Sequence, residues 1–209
     1  MHRKTLAADK LIMIFAVVAG MRVLAESDDA PKPWKDEIGS GFRRGTWEAG
    51  FSIGGGFGVK AITGSQSHDL ILGTLRAGWI FSDVLAPEKW CRGNFELLLE
   101  AFGGEQLHPG QRYVLGTAPL LRYNFATHAR FVPFLNLGAG VSATDIGHPD
   151  LNGTFQFNVQ AGAGTHYFFG RNTALDFEYR WFHLSNAGTS FPNLGTNTQM
   201  SYCGLSWFF

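Results

Sequence analysis

From Thr46 to Phe209 the chain alternates. Odd-numbered positions are predominantly hydrophobic and even ones carry glycines and most of the charge, in eight runs of about a dozen residues. The runs are Thr46–Gly58, Leu70–Phe81, Asn94–Gly104, Tyr113–Phe125, Phe131–Thr144, Phe155–Phe169, Thr173–Ser185 and Asn197–Phe209. In an extended chain, residues two apart share a face. One face therefore carries Trp47, Phe51, Ile53 and Phe57, then Ile71, Leu75 and Trp79, and so on to Leu205, Trp207 and Phe209. The other carries Glu48, Arg76, Glu96, Glu100, Arg122, Gln156, Asn158, Gln160, Asp176, Glu178 and Arg180.

Each run matches a tilted membrane-crossing strand, which needs ~9–11 residues. A sandwich would also alternate, but it would turn the polar face to water and leave fewer acids facing arginines. A narrow eight-stranded barrel has an interior just filled by side chains, where such residues would pair. The pattern predicts an all-β fold, an eight-stranded antiparallel transmembrane β-barrel spanning 46–209. Pro119 and Pro133 lie inside strands and cannot donate to the ladder, which predicts bulges there.

The connections 126–130 and 170–172 are tight, whereas 59–69, 105–112, 145–154 and 186–196 are longer. Short periplasmic turns and long outside loops are the rule for outer-membrane barrels, and only Ser82–Gly93 exceeds it. Aromatics gather near strand ends (Trp47, Trp79, Phe81, Phe125, Phe131, Phe169, Trp207), as interfacial girdles require.

The 27 glycines and 19 phenylalanines are unusual for a helical protein. Residues 1–25 read as a signal peptide, with Arg3, Lys4 and Lys10 ahead of the apolar stretch Leu11–Gly20 and a small-residue cleavage site at Val23-Leu24-Ala25. Residues 26–45, with two prolines and mixed charge, read as a periplasmic tail. Removing 1–25 takes away Arg3, Lys4, Lys10, Arg22 and Asp9, leaving 13 basic and 16 acidic groups of the original 17 and 17. That balance gives no footprint for nucleic acid. Export permits a disulfide between Cys91 and Cys203, but their places before and within strands predict two free thiols. The whole reading places the chain in the bacterial outer membrane, with both termini periplasmic and odd-numbered strands running outward.

Chemistry concentrates at the end of the seventh run. His183 and Ser185, a base and a hydroxyl, share the apolar face with Phe177, Tyr179 and Trp181. The predicted orientation puts them near the outer leaflet on the lipid side, where a histidine is costly without a partner or purpose. His68, His108, His128, His148 and His166 show no metal-ligand spacing and are expected at the surface. Gly54-Gly55-Gly56 lies in a strand with no helix after it, so it is no phosphate loop. Glu96 and Glu100 suggest glycosidase carboxylates, but they face a filled interior.

The run Phe182-His183-Leu184-Ser185-Asn186-Ala187-Gly188, followed by Pro192-Asn193-Leu194-Gly195, resembles the lipid A 3-O-deacylase (PagL-like) family of outer-membrane barrels. The resemblance implies an eight-stranded barrel with a serine hydrolase site on its outer face that removes the 3-linked hydroxyacyl chain of lipid A. It implies Ser185 as nucleophile and His183 as general base. Asn186 and the N–H of Gly188 are the implied oxyanion donors. Where the family pattern has a glutamate fourteen residues after the histidine, this chain has Asn197. An asparagine oxygen can orient the imidazole but cannot stabilise an imidazolium as a carboxylate does.

The implied partner is lipid A, or lipopolysaccharide, in the outer leaflet. No metal or organic cofactor is implied, and a homodimer is left open. The alternative is a structural or adhesive small barrel that keeps the motif without the chemistry. A pore is disfavoured, because eight strands leave no aqueous channel.

Overall fold

The computed structural model describes residues 43–60, 64–127 and 129–209. The expected signal peptide, most of the expected tail and His128 lie outside the described residues. Eight strands run β1 (Trp47–Gly58), β2 (Asp69–Ile80), β3 (Gly93–His108), β4 (Arg112–Phe125), β5 (Phe131–Thr144), β6 (Phe155–Phe168), β7 (Thr173–Ser185) and β8 (Thr196–Phe208). Each pairs antiparallel with the next, and β8 closes on β1. The closed antiparallel barrel is the predicted architecture.

The alternation of polarity becomes an alternation of burial. Along β2, Leu70, Leu72, Thr74, Arg76 and Ile80 are buried, while Ile71, Leu75 and Trp79 are exposed on the outer wall. A wall of this kind, with Ile53, Phe57, Leu99 and Leu137 each about 60% exposed, is a surface made for hydrocarbon.

The lumen is packed solid. At the end carrying the start of β1 and the end of β8, Ile80, Val132, Phe168 and Phe208 cluster. At the opposite, loop end, Leu70, Leu72, Phe102, Phe182, Leu184 and Tyr202 cluster with Ile146 and Leu151 from the β5–β6 loop. Charges fill the middle. Arg180 donates to Glu100 at 2.5 Å, to Glu178 at 2.5 Å and to Gln160 at 2.6 Å. Arg122 donates to Glu48 at 2.7 Å, and Arg76 to Asp176. Charges withdrawn from water in this way are tolerated only when paired and hydrogen-bonded. Glu96 and Glu100 belong to this network, which explains both without a glycosidase.

Three expectations are corrected. No register shift occurs at either proline: the β4–β5 ladder lapses at Ala118 and Pro119 and resumes in the same register, and Pro133 pairs with Thr165 in an unbroken ladder. The missing donor is absorbed without an inserted residue. The 105–112 connection shrinks to 109–111, because Glu105 and Gln106 pair with Tyr113 and Arg112 and extend the hairpin. His68 and His166 are buried, not superficial, each held by an aspartate: His68 by Asp150 at 2.8 Å and His166 by Asp176 at 2.6 Å. Cys91 and Cys203 are free, as expected.

Candidate active site

The β7–β8 register sets His183 directly opposite Asn197, and the β6–β7 register sets Ser185 opposite Phe157. His183, Ser185 and Asn197 have the outer-wall parity, so the imidazole lies outside the cylinder. Asn197 is nonetheless only 2% exposed, because Trp181 and His183 cover it from the neighbouring strand. Their rings stack at 5.6 Å with 21° between planes.

One oxygen organises the group. Oδ1 of Asn197 accepts from the indole Nε1–H of Trp181 at 3.2 Å and faces Nδ1 of His183 at 3.0 Å. An indole nitrogen can only donate, so the atom it meets must be the amide oxygen. The same oxygen then requires a proton on Nδ1 of His183. In the neutral ring, Nε2 is left bare, which is the tautomer a general base needs.

Gly195 walls the imidazole. A Cβ built there would lie 2.8 Å from Cε1 of His183 and 3.1 Å from the carbonyl of Leu184, and the backbone sits at φ +74°. Only glycine meets both demands. Extending the β7–β8 register by one step sets Gly195 opposite Ser185, so the Cε1–Nε2 edge of the ring lies on the serine's side. The Ser185 hydroxyl itself makes no hydrogen bond among the described residues.

Comparison with known proteins identifies the family and the fold. The family model of lipid A 3-O-deacylase (PagL) matches residues 74–206, well over half of the chain and all of the motif. The chain belongs to the lipid A 3-O-deacylase family. The crystal structure of the outer-membrane enzyme PagL shares the fold at 21% identity, with a TM-score of 0.57 over 74% of this chain and 97% of that one. Neisserial surface protein A does so at 14% identity, with a TM-score of 0.60 over 79% of this chain and all of its own. No curated protein matches. This member of the deacylase family is therefore a barrel of the bacterial outer membrane.

The 186–195 loop, which carries the second part of the motif, is held by polar groups of its own and by Asn152. Asn186 is buried; its side-chain N–H groups donate to Ser190 O at 2.8 Å and Asn152 O at 3.2 Å. Its Oδ1 accepts from Gly188 N–H at 2.9 Å, and its own N–H donates to Asn193 Oδ1, also at 2.9 Å. The two residues expected as oxyanion donors thus already have acceptors inside the loop, and what they do in this structure is shape it. Between them Ala187 adopts φ +54°, rare for a residue with a Cβ. Its N–H has no partner among the described residues, and Ala187 is exposed two positions from Ser185.

The sequence assigns no role to Trp181, Gly195, Asn193 or Asp150, although Asn193 and Gly195 stand in the run that carries the resemblance. Trp181 reads as one more lipid-facing aromatic until the register shows which amide its N–H meets. Asp150, in the 145–154 loop, is fully buried. Burial raises its carboxyl, but donation from His68, Ser65 and Gln66 outweighs it and holds the group below the ordinary carboxylate value.

Proposed function

We propose that the protein is a serine esterase that removes the 3-O-linked acyl chain of lipid A from the membrane side of the outer leaflet. Ser185 is the nucleophile, His183 the general base and Asn197 the residue that orients it. The observation that carries this reading is the oxygen of Asn197 shared by Trp181 and His183, because it leaves the Nε2 lone pair of His183 free on the serine's side.

Ser185 and His183 stand two residues apart on one strand face, about 6.6 Å along the strand, a gap that side-chain rotation spans. Nε2 takes the hydroxyl proton as Ser185 Oγ attacks the ester carbonyl. The resulting oxyanion is met by the Ala187 N–H, a loop donor with no acceptor among the described residues and two positions from Ser185. His183 then returns the proton to the departing sugar oxygen, leaving the acyl group on Ser185. Water, deprotonated by the same nitrogen, releases the fatty acid and restores the hydroxyl.

Phe155 and Phe157 on β6, with Leu194 in the 186–195 loop, offer apolar surface around Ser185. A two-tailed or multi-tailed lipid diffusing in the leaflet would reach the serine without leaving hydrocarbon. Mass spectrometry of lipid A from cells expressing wild type or Ser185→Ala tests the reading. Loss of one ester-linked chain only with the wild type is expected; identical acylation sinks it.

The unbonded hydroxyl and the asparagine in place of a glutamate favour a second reading, a non-catalytic barrel that keeps the motif. Lipid A unchanged by the wild type, together with surface binding unaffected by His183→Ala, would favour it.

A further inference from the structure

We propose that Asp150 is a positioning residue for the His183 imidazole: it clamps three loops together and through them sets the wall against which the ring rests. This rests on the serine-esterase reading for its catalytic meaning, but not for its geometry.

The clamp has two sides. The carboxylate of Asp150 accepts from Ser65 N–H at 2.5 Å and Gln66 N–H at 3.0 Å, both in the β1–β2 loop, and meets His68 Nε2 at 2.8 Å. His68 Nδ1 meets Gln106 Oε1 at 2.5 Å, and Gln106 Nε2–H donates to Gly110 O at 2.8 Å, which brings in the β3–β4 connection. The backbone carbonyl of Asp150 makes the second side. It accepts from Leu194 N–H at 2.9 Å and Gly195 N–H at 3.1 Å. Gly195 is the residue at which an added Cβ would lie 2.8 Å from Cε1 of His183.

The path from carboxylate to imidazole is therefore short and almost wholly main chain. Main-chain hydrogen bonds leave little slack. A carboxylate offers about four acceptor sites, and three are in use. Alanine removes all three anchors and frees the tip of the 145–154 loop, while the separate contacts of Asn152 to Asn186 and Phe191 still hold its other side. The 186–195 loop should then remain attached but loosen where it backs the ring. Displacement of a catalytic group by about 1 Å can cost on the order of a hundredfold in rate.

The test uses the full protein in detergent micelles with ¹⁵N-labelled histidine, the His183 resonances being assigned by their loss in His183→Gln. The wild type is expected to show one His183 tautomer, protonated at Nδ1, with slow exchange of that proton. Asp150→Ala, checked as folded by its heat-modifiable migration, should show faster exchange and mixed tautomers. It should also lose roughly ten- to a hundredfold in kcat with KM changed much less. Asp150→Asn, which keeps one acceptor oxygen, should recover part of both. An unchanged His183 signal in folded Asp150→Ala overturns the proposal, as does an unchanged signal in Asp150→Asn if the alanine variant fails to fold. Wild-type protein that leaves lipid A intact would sink the esterase reading alone, since the imidazole signal still decides the role of Asp150.

Discussion

Trp181 and His183 hydrogen-bond to the same oxygen of Asn197, at 3.2 and 3.0 Å, while their rings stack. The tryptophan therefore acts on the histidine in two ways: it covers one ring face, and it decides which end of the asparagine amide the histidine meets. An asparagine beside a histidine is ambiguous, since a flipped amide would present a donor and select the wrong tautomer. Here the ambiguity is removed by a group that can only donate.

Trp181→Phe should keep the stacking and lose that selection. A neutral hydrogen bond contributes about 1 kcal/mol, so a loss of roughly fivefold in kcat is expected, with the ¹⁵N spectrum of His183 shifting toward a mixture of tautomers. An unaltered spectrum would mean that Asn197 orients the ring unaided.

Asn197→Glu tests what the asparagine withholds. In the proposed reaction, a carboxylate would stabilise the imidazolium formed during acylation. A gain of roughly ten- to a hundredfold in kcat corresponds to about 1.4–2.7 kcal/mol of added stabilisation. Asn197→Leu should go the other way, because Nδ1 then has no acceptor. Initial rates of fatty acid release from purified lipid A would show both directions.

Gly195→Ala should be the most selective loss outside the reacting groups themselves. The added methyl would meet Cε1 of His183 at 2.8 Å at a backbone angle that L residues adopt at a cost of about 1–2 kcal/mol. Activity should fall at least tenfold while the barrel still shows its folded gel mobility. A variant of wild-type activity would mean that the imidazole has room to retreat.

Acid should loosen the loop end before the barrel. The folded-state carboxyl of Asp150 lies below its ordinary value, so its contribution is fully present above the unfolded value and is lost as pH falls through the lowered folded one. Protease cleavage within 145–154 should therefore rise in the wild type as pH drops below about 4. Asp150→Asn, with nothing to titrate there, should show little change over the same range.

In the lumen, Arg180→Met should be costly. It leaves Glu100 and Glu178 buried without the guanidinium that meets both, and removing one partner of such a group costs about 3–5 kcal/mol. Urea unfolding in lipid vesicles should show it. Adding Glu100→Gln and Glu178→Gln should return much of the loss, because no unpaired charge then remains.

Much of the architecture was legible in one dimension. A strand's side chains alternate with a period of two, and a membrane demands a greasy outside while a narrow cylinder demands a filled inside. Residue parity from Trp47 to Phe208 therefore sorted wall from lumen before any pairing was known. The same parity put His183 and Ser185 on one face, and the spacing to Asn197 fell on that face too. Neither proline needs an inserted residue: at Pro119 the β4–β5 ladder lapses locally, and Pro133 stays in register opposite Thr165.

What sequence alone could not supply is which atoms meet. Nothing local to Trp181 says that its N–H points at Asn197, since the two are brought together only by the β7–β8 register. Nothing near Asp150 says that its carboxylate will be enclosed by residues 65–68, some eighty positions away, or that its carbonyl will hold Gly195. Asn186 and Gly188 looked free to receive an oxyanion until loop closure gave their N–H groups other acceptors. Alternation is set by the geometry of a single extended chain, so the order of residues determined the barrel. Hydrogen-bond partnership depends on strand register and on loops folding against one another, so only the closed tertiary structure decided the chemistry at its rim.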